Sequence, residues 1–169
     1  EMTSGNFTLG IWASYETGGQ VVGQEFDFYA SYSFGAVSLE FIDYSFPVDG
    51  ASDGYFMMKN HIGEAMFSFD GVESFPVTFM LGVNVYNDDG NSVYTELGAP
   101  FTIGGTEMSA FIGGGNEIYS MDGDFAVTNF GISASKDIAI TDSFSLGATA
   151  SAIFNPDTDD AYLVFLISL

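Results

Sequence analysis

Acidic side chains at alternating positions are the first residues in this sequence whose types and spacing suit chemistry. They fall on the polar side of four predicted β-strands, as Glu25, Asp27, Glu40, Glu64 and Glu96. In a narrow enclosure, carboxylates without cationic partners raise one another's pKa or recruit a cation. One interpretation is therefore a cation-selective passage or an internal Ca²⁺ site. The other, which the sequence favours, is a plugged interior whose carboxylates are protonated, hydrated or hydrogen-bonded to tyrosine and serine.

A second acidic group lies in a turn near the end of the sequence. Asp157, Asp159 and Asp160 follow Asn155 there, with alternate oxygen-bearing residues as at the start of an EF-hand loop. That loop requires glycine where Asp160 stands and glutamate where Leu166 stands, so this is not an EF-hand. A Ca²⁺ site at this rim is one hypothesis. Solvated turn residues are the alternative that the sequence favours, and no other cofactor is expected.

Catalytic residues are scarce. His61 is the single histidine, and Asp43 on the preceding predicted strand is placed to approach it, as in a rim-type outer-membrane hydrolase. Glu25 and Asp27 resemble a glycosidase pair, but nothing in the sequence supplies a cleft. There is no cysteine nucleophile, and no Gly-Lys-Ser/Thr sequence for a phosphate-binding loop. We therefore expect a protein that is not an enzyme, with the rim hydrolase as a distant alternative.

Charge and composition exclude whole classes of protein. The 169 residues carry 23 Asp and Glu against 2 Lys and Arg, a formal charge of −21, yet 47% are hydrophobic and 17% aromatic. That aromatic content excludes a disordered acidic tail. Because only Lys59 and Lys136 are available to neutralise phosphates, nucleic acid is excluded as a partner. The start at Glu1 suggests a mature chain whose signal peptide has been removed.

The elements that position these residues are strands, since hydrophobic residues alternate with polar ones along nearly the whole sequence. The alternation predicts an all-β, antiparallel up-and-down meander of about ten strands, closed into one transmembrane-type β-barrel domain spanning residues 1–169. Short connections alternate with longer ones rich in Gly and Asp, which places the acidic turns at one rim. The predicted strands are 6–16, 21–34, 36–46, 55–69, 75–86, 92–102, 106–116, 124–136, 142–155 and 160–169.

The two faces of these strands differ in chemistry. One carries Ser, Thr, Gly, Tyr and carboxylates, as expected of a small polar lumen, and a soluble β-sandwich is the alternative that this face disfavours. The other is apolar, with aromatic residues at both ends of several strands, as in the girdles of membrane barrels. We expect the apolar face to point outward, with these residues on it: Phe7, Tyr15, Phe26, Phe28, Phe34, Phe79, Phe144, Phe154 and Phe165.

Seven short segments resemble a family of small Gram-negative outer-membrane β-barrels described as TorF-like porins. They are GNFTLGIWAS at 5–14, EFDFYASYS at 25–33, VSLEFIDY at 37–44, HIGE at 61–64, NFGISASK at 129–136, IFNP at 153–156 and AYLVF at 161–165. The resemblance covers most of the chain. It implies an outer-membrane barrel, but no defined substrate and no catalytic residues.

The sequence departs from that family at both ends. A strand or hairpin that usually precedes the segment at 5–14 is missing, and Leu169 stands where a terminal aromatic residue is usual. A missing strand would leave an open sheet edge, and such an edge invites pairing with another chain.

Two hypotheses of function follow. The first is a non-enzymatic, porin-like outer-membrane β-barrel with a narrow acidic lumen, whose partner is the lipid bilayer. The alternative is a self-assembling structural subunit at the cell surface or in an extracellular filament. Its partners would be copies of itself, bound through the apolar outer face and the open strand edge.

Overall fold

The computed structural model describes residues 1–14, 24–46 and 58–168. Within that part of the chain the regular structure is β-sheet, apart from two 3-10 turns at Met58–Asn60 and Glu117–Tyr119. The strands are β1 (Met2–Ser4), β2 (Phe7–Ser14), β3 (Glu25–Phe34), β4 (Val37–Ser45), β5 (His61–Phe69), β6 (Thr78–Tyr86), β7 (Val93–Ile103), β8 (Thr106–Gly115), β9 (Ala126–Thr141), β10 (Phe144–Asn155) and β11 (Asp160–Ser168). The prediction of an all-β protein is confirmed.

The strands form one sheet in sequence order, from β1 to β11. The pairs that the structure describes are antiparallel, so the up-and-down meander is confirmed. Each of the ten predicted strands corresponds to one of β2 to β11. The sequence analysis missed β1, because its three residues precede a Gly5-Asn6 turn and are too few to show alternation.

The prediction of a closed barrel is wrong. The strand order is linear, with β1 at one edge and β11 at the other, and no ladder joins these two strands within the described residues. A barrel closes only when its first and last strands pair. Here β1 pairs with β2 over three residues, from Met2 opposite Leu9 to Ser4 opposite Phe7.

The tight hairpins have turn residues that suit them. Gly104 and Gly105 connect β7 to β8 with φ angles of 58° and 79°. Two consecutive positive φ values define a type I′ turn, whose twist matches that of the flanking strands. The pairing of Ile103 with Thr106 directly flanks this turn.

The longest strand was predicted too short. Residues 137–142 were expected to connect two strands, but β9 runs to Thr141 and the connection is Asp142-Ser143. Ile138 and Ile140 continue the alternation, and Ile138 pairs with Leu146 on β10. A register shift beside Phe144 accommodates the extra length.

Two compact units make up the chain. Unit 1 comprises Glu1–Phe69 and Leu81–Val93, and unit 2 comprises Asp70–Met80 and Tyr94–Leu169. In both units most strands carry polar side chains on one face and apolar side chains on the other, as the alternation predicts, whereas β11 is apolar on both faces.

Candidate functional site

Burial in this protein is inverted relative to an ordinary globular protein. Among the described residues no hydrophobic side chain is buried, whereas polar and charged side chains are. The buried set is Asp27, Ser45, His61, Glu64, Asn84, Ser92 and Thr128. The polar face of the strands, which holds Asp27 and Glu64, is therefore the candidate site, and each unit holds part of it. Ser45 and His61 pair with each other and lie on the opposite face of β4 and β5.

The five carboxylates predicted for this face are all shielded to some degree. Asp27 is 5% exposed and Glu64 is 3% exposed. Glu25, Glu40 and Glu96 are half-buried. The register of β3, β4 and β5 places Glu25, Asp27, Glu40 and Glu64 on one face of unit 1, while the lumen that all five were expected to line stays a prediction.

In unit 1 the buried carboxylate of Glu64 is bound by a tyrosine. The hydroxyl of Tyr44 on β4 donates a hydrogen bond of 2.7 Å to Glu64 Oε2 on β5. A Cβ at Gly82 would overlap the Glu64 carboxylate, so the glycine on β6 leaves the space that this side chain fills. Tyr44 and Gly82 together allow a charged group to lie inside the protein.

Removing the hydroxyl in Tyr44→Phe is expected to lower the free energy of unfolding by about 1.5–3 kcal/mol, because a buried carboxylate loses its donor. The matched control is Tyr162→Phe. The Tyr162 hydroxyl also donates to a carboxylate, that of Asp160, but at 3.3 Å on the exposed strand β11. Urea unfolding in lipid vesicles measures both variants, and an equal effect for the two would contradict a special role for the buried pair.

His61 and Asp43 meet as the sequence predicted. His61 Nδ1 lies 2.7 Å from Asp43 Oδ1, and the histidine is 1% exposed. The side chain of Asn87 donates hydrogen bonds to the carbonyl oxygens of His61 and Lys59, at 2.7 and 2.9 Å. These hydrogen bonds connect the start of β5 to Asp43 on β4 and to Asn87, which follows β6. Because the imidazole is enclosed by the protein, the pair gives no support to a hydrolase whose histidine must reach a substrate.

The connection between β6 and β7 is organised by one carboxylate that the sequence analysis assigned only to an acidic turn. Asp88 accepts hydrogen bonds from the Asn84 side chain at 2.8 Å and from the backbone N–H groups of Ser92 and Gly90 at 3.0 and 3.1 Å. Burial raises the pKa of Asp88, but the hydrogen bonds from Ser92 and Asn84 outweigh burial and leave the pKa below its ordinary value.

Removing the carboxylate in Asp88→Ala is expected to lower the free energy of unfolding by about 1 kcal/mol. The amount is modest because the loop is partly open to solvent. The pKa of Asp88 is lowered in the folded state. The stabilisation by its carboxylate is therefore complete above the ordinary aspartate pKa of about 4, and it is lost as the pH falls through the lower folded-state pKa. The difference from the parent protein should therefore shrink below about pH 4. The exposed neighbour in Asp89→Ala serves as the control, and its effect should stay within about 0.5 kcal/mol.

Unit 2 contains a second polar network on the same type of face. The Tyr94 hydroxyl donates to Glu96 Oε2 at 2.7 Å, and Asn129 Nδ2 donates to the Tyr94 hydroxyl at 2.7 Å. A Cβ at Gly113 would overlap Tyr94 and Asn129, so this glycine gives the network its space. The ring of Tyr119 lies 5.4 Å from that of Tyr94. Tyr94 was predicted as a hydrogen-bonding residue of this face, but its pairing with Glu96 depends on the rotamers and was not foreseen.

In the acidic turn proposed as a Ca²⁺ site, side-chain oxygens accept hydrogen bonds from the protein itself. Asp157 Oδ2 accepts a hydrogen bond of 2.7 Å from the backbone N–H of Met121, and Asn155 Oδ1 accepts one of 2.9 Å from that of Asp157. Asp160 accepts one from Tyr162. In the described residues no three Asp, Glu or His side chains come close enough to hold a metal ion. The Ca²⁺ site stays a prediction without structural support.

The apolar face is open, as the sequence predicted for its outward side. Phe165 is 76% exposed and Phe34 is 59% exposed, and Phe7, Phe28 and Phe144 are also exposed. Three further predicted residues are half-buried, namely Phe26, Phe79 and Phe154. Tyr15 lies outside the described residues. No helix in the described ranges has the length and hydrophobicity needed to cross a membrane.

Comparisons with protein-family models, curated proteins and solved structures give no match. The resemblance to the TorF-like porins therefore stays a prediction from the short sequence motifs.

Proposed function

We propose that this chain is a non-enzymatic, porin-like outer-membrane protein that crosses the bilayer with its strands and has a narrow acidic interior. The observation that carries the proposal is the inverted burial. Every buried residue among the described ones is polar, charged or glycine, while many large hydrophobic side chains are exposed and none is buried. Acyl chains cover an apolar exterior without an apolar core, so lipid suits that arrangement once the sheet edges at β1 and β11 are paired, since lipid cannot satisfy their backbone groups.

Strand length and connection length agree with this proposal. Most strands from β2 to β11 have 8 to 12 residues, and a tilted strand needs about 9–11 residues to cross a bilayer. Apart from the connection at residues 70–77, which is itself long, two-residue connections such as Gly35-Ala36 and Gly104-Gly105 alternate along the chain with longer ones such as residues 87–92 and 116–125. Short turns at one end and longer loops at the other are typical of outer-membrane barrels.

The acidic side chains of the polar face determine which ions the proposed protein would favour. Glu64 and Glu96 have tyrosine donors, and no lysine or arginine is among the buried residues that the structure describes. Any aqueous path along this face would attract cations and repel anions. Large polar side chains occupy this face in each unit, Tyr44 in unit 1 and Tyr94 and Asn129 in unit 2, so such a path would be narrow.

Contact with lipid is testable with single-tryptophan proteins in vesicles containing brominated phosphatidylcholine, whose bromine atoms quench fluorescence on contact. In a Trp12→Phe background, Phe130→Trp reports the apolar face of unit 2, since Phe130 is 45% exposed. Tyr94→Trp reports the polar face of the same unit. We expect strong quenching of the first protein and weak quenching of the second. Equal, weak quenching of both would overturn the membrane proposal.

A second candidate function is favoured by the open strand order. The self-assembling subunit of a cell-surface or extracellular structure would cover its apolar face and its two sheet edges with other copies. Negative-stain microscopy of material sheared from cells without detergent separates the candidates. Regular filaments would favour this second function, whereas small particles that appear only after detergent extraction would favour the first.

A further inference from the structure

The edge strand β11 lacks the features that normally protect a sheet edge. Its nine residues are exposed where the structure describes them, and none of residues 161–168 is charged or proline. Unlike the other long strands it is apolar on both faces, with Leu163 and Phe165 on one and Val164 and Leu166 on the other. Natural edge strands usually carry lysine, proline or a bulge that prevents further pairing.

The opposite edge of the sheet has a step. β1 covers β2 only from Phe7 to Leu9, so residues 10–14 of β2 pair with β3 on one side and with no described strand on the other. These five residues also carry no charge. Beside the step is a cavity of about 470 Å³ lined largely by apolar side chains, including Leu9, Ile11 and Phe28, with the carboxylates of Glu1 and Asp43 also in its lining. A strand entering the step would place its side chains over this apolar lining.

We infer that β11 of one copy of this chain adds as a strand to the open step of β2 in the next copy. The inference rests on the self-assembly candidate and gives that candidate its contact surfaces. In an up-and-down meander odd-numbered strands run one way and even-numbered strands the other, so β11 meets β2 antiparallel, in the same sense as every described pair.

A second copy is the occupant because one chain supplies both halves of the contact. Each half has an edge that no described strand pairs, and residues 10–14 and 161–168 carry no charge, which matters for a protein of net charge −21 whose copies otherwise repel one another. The two surfaces differ, so the contact is heterologous. It repeats from copy to copy and builds a ring or an open filament.

Cysteine cross-linking tests the contact, because the native chain contains no cysteine. One preparation carries Ile11→Cys, and the others carry Leu163→Cys, Phe165→Cys or Ile167→Cys, all on the apolar face. After mixing and mild oxidation, we expect at least one combination to form a disulfide-linked heterodimer. The control replaces Ile11→Cys with Trp12→Cys on the opposite face. Its yield should be lower by about tenfold or more, since a disulfide requires Cα atoms within about 7 Å and side chains on one face.

The possible results separate the inference from the function on which it rests. A face-dependent heterodimer supports the inference. Filaments that form without any heterodimer would overturn the edge contact while leaving self-assembly intact. Absence of both filaments and heterodimer would overturn the two together. A protein carrying both cysteines that cross-links only within one chain, with no heterodimer in the mixture, would show that the edges pair internally and would also overturn the inference.

Discussion

Under the proposed contact of the apolar face with lipid, lysine at position 150 is expected to lower the free energy of unfolding in phosphatidylcholine vesicles by about 2–4 kcal/mol, the cost of a basic side chain on a lipid face near the bilayer midplane. Ala150 is exposed near the middle of β10, opposite Phe165 on β11 and Ala134 on β9. From this mid-strand position the ammonium group is too far from either interface to reach water easily.

Lysine one residue earlier is the matched control. Thr149 lies on the polar face, where its Oγ1 lies 2.8 Å from the Ser135 hydroxyl. Thr149→Lys loses that hydrogen bond but places a cation on the acidic face of a protein with net charge −21, so we expect a cost below about 1 kcal/mol. Urea unfolding followed by Trp12 fluorescence measures both variants. Similar losses at the two neighbouring positions would contradict the assignment of the faces.

Alternation alone made much of the fold predictable. A period of two places successive side chains on opposite faces, so the pattern in segments such as 25–34 predicted both the strand and its polar side. Short hairpins were predictable too, since Gly35 and Gly104 mark turns that need positive φ. These features are local, and local sequence is sufficient to determine them.

Closure of the sheet into a barrel was not predictable from alternation. Whether the first and last strands pair depends on how edges far apart in sequence meet, and alternation within each strand carries no information about that. β1 shows the difficulty, because three residues are too few to register as a strand and yet they cover part of the β2 edge. The expectation of a barrel came from strand count and from the polar face, neither of which fixes the edges.

Within the candidate site, positions were predictable but most partners were not. Asp43 and His61 lie on neighbouring strands, so their approach followed from the meander. The pairing of Tyr44 with Glu64 depends on a side-chain conformation that leaves room only because residue 82 is glycine. In the acidic turn, side-chain oxygens of Asn155 and Asp157 accept hydrogen bonds from backbone N–H groups, contacts that the spacing of the residues does not reveal.

The substitution Gly10→Ala is expected to lower the free energy of unfolding by about 1–3 kcal/mol, because the new methyl group has no space. Gly10 on β2 pairs directly with Tyr29 on β3, and the tyrosine ring covers the glycine. A Cβ at this position would overlap the ring. The Tyr29 hydroxyl also donates to Glu1 Oε2 at 3.2 Å, so moving the ring disturbs that contact as well.

A double-mutant cycle separates this clash from a general effect of the substitution. Once Tyr29→Ala has removed the ring, the same Gly10→Ala change should be neutral or stabilising by about 0.4–1 kcal/mol, since alanine loses less backbone entropy than glycine on folding. The effect of one methyl group therefore changes sign with the residue opposite it. Unfolding in vesicles measures all four proteins of the cycle, and additive losses would contradict the packing of Tyr29 on Gly10.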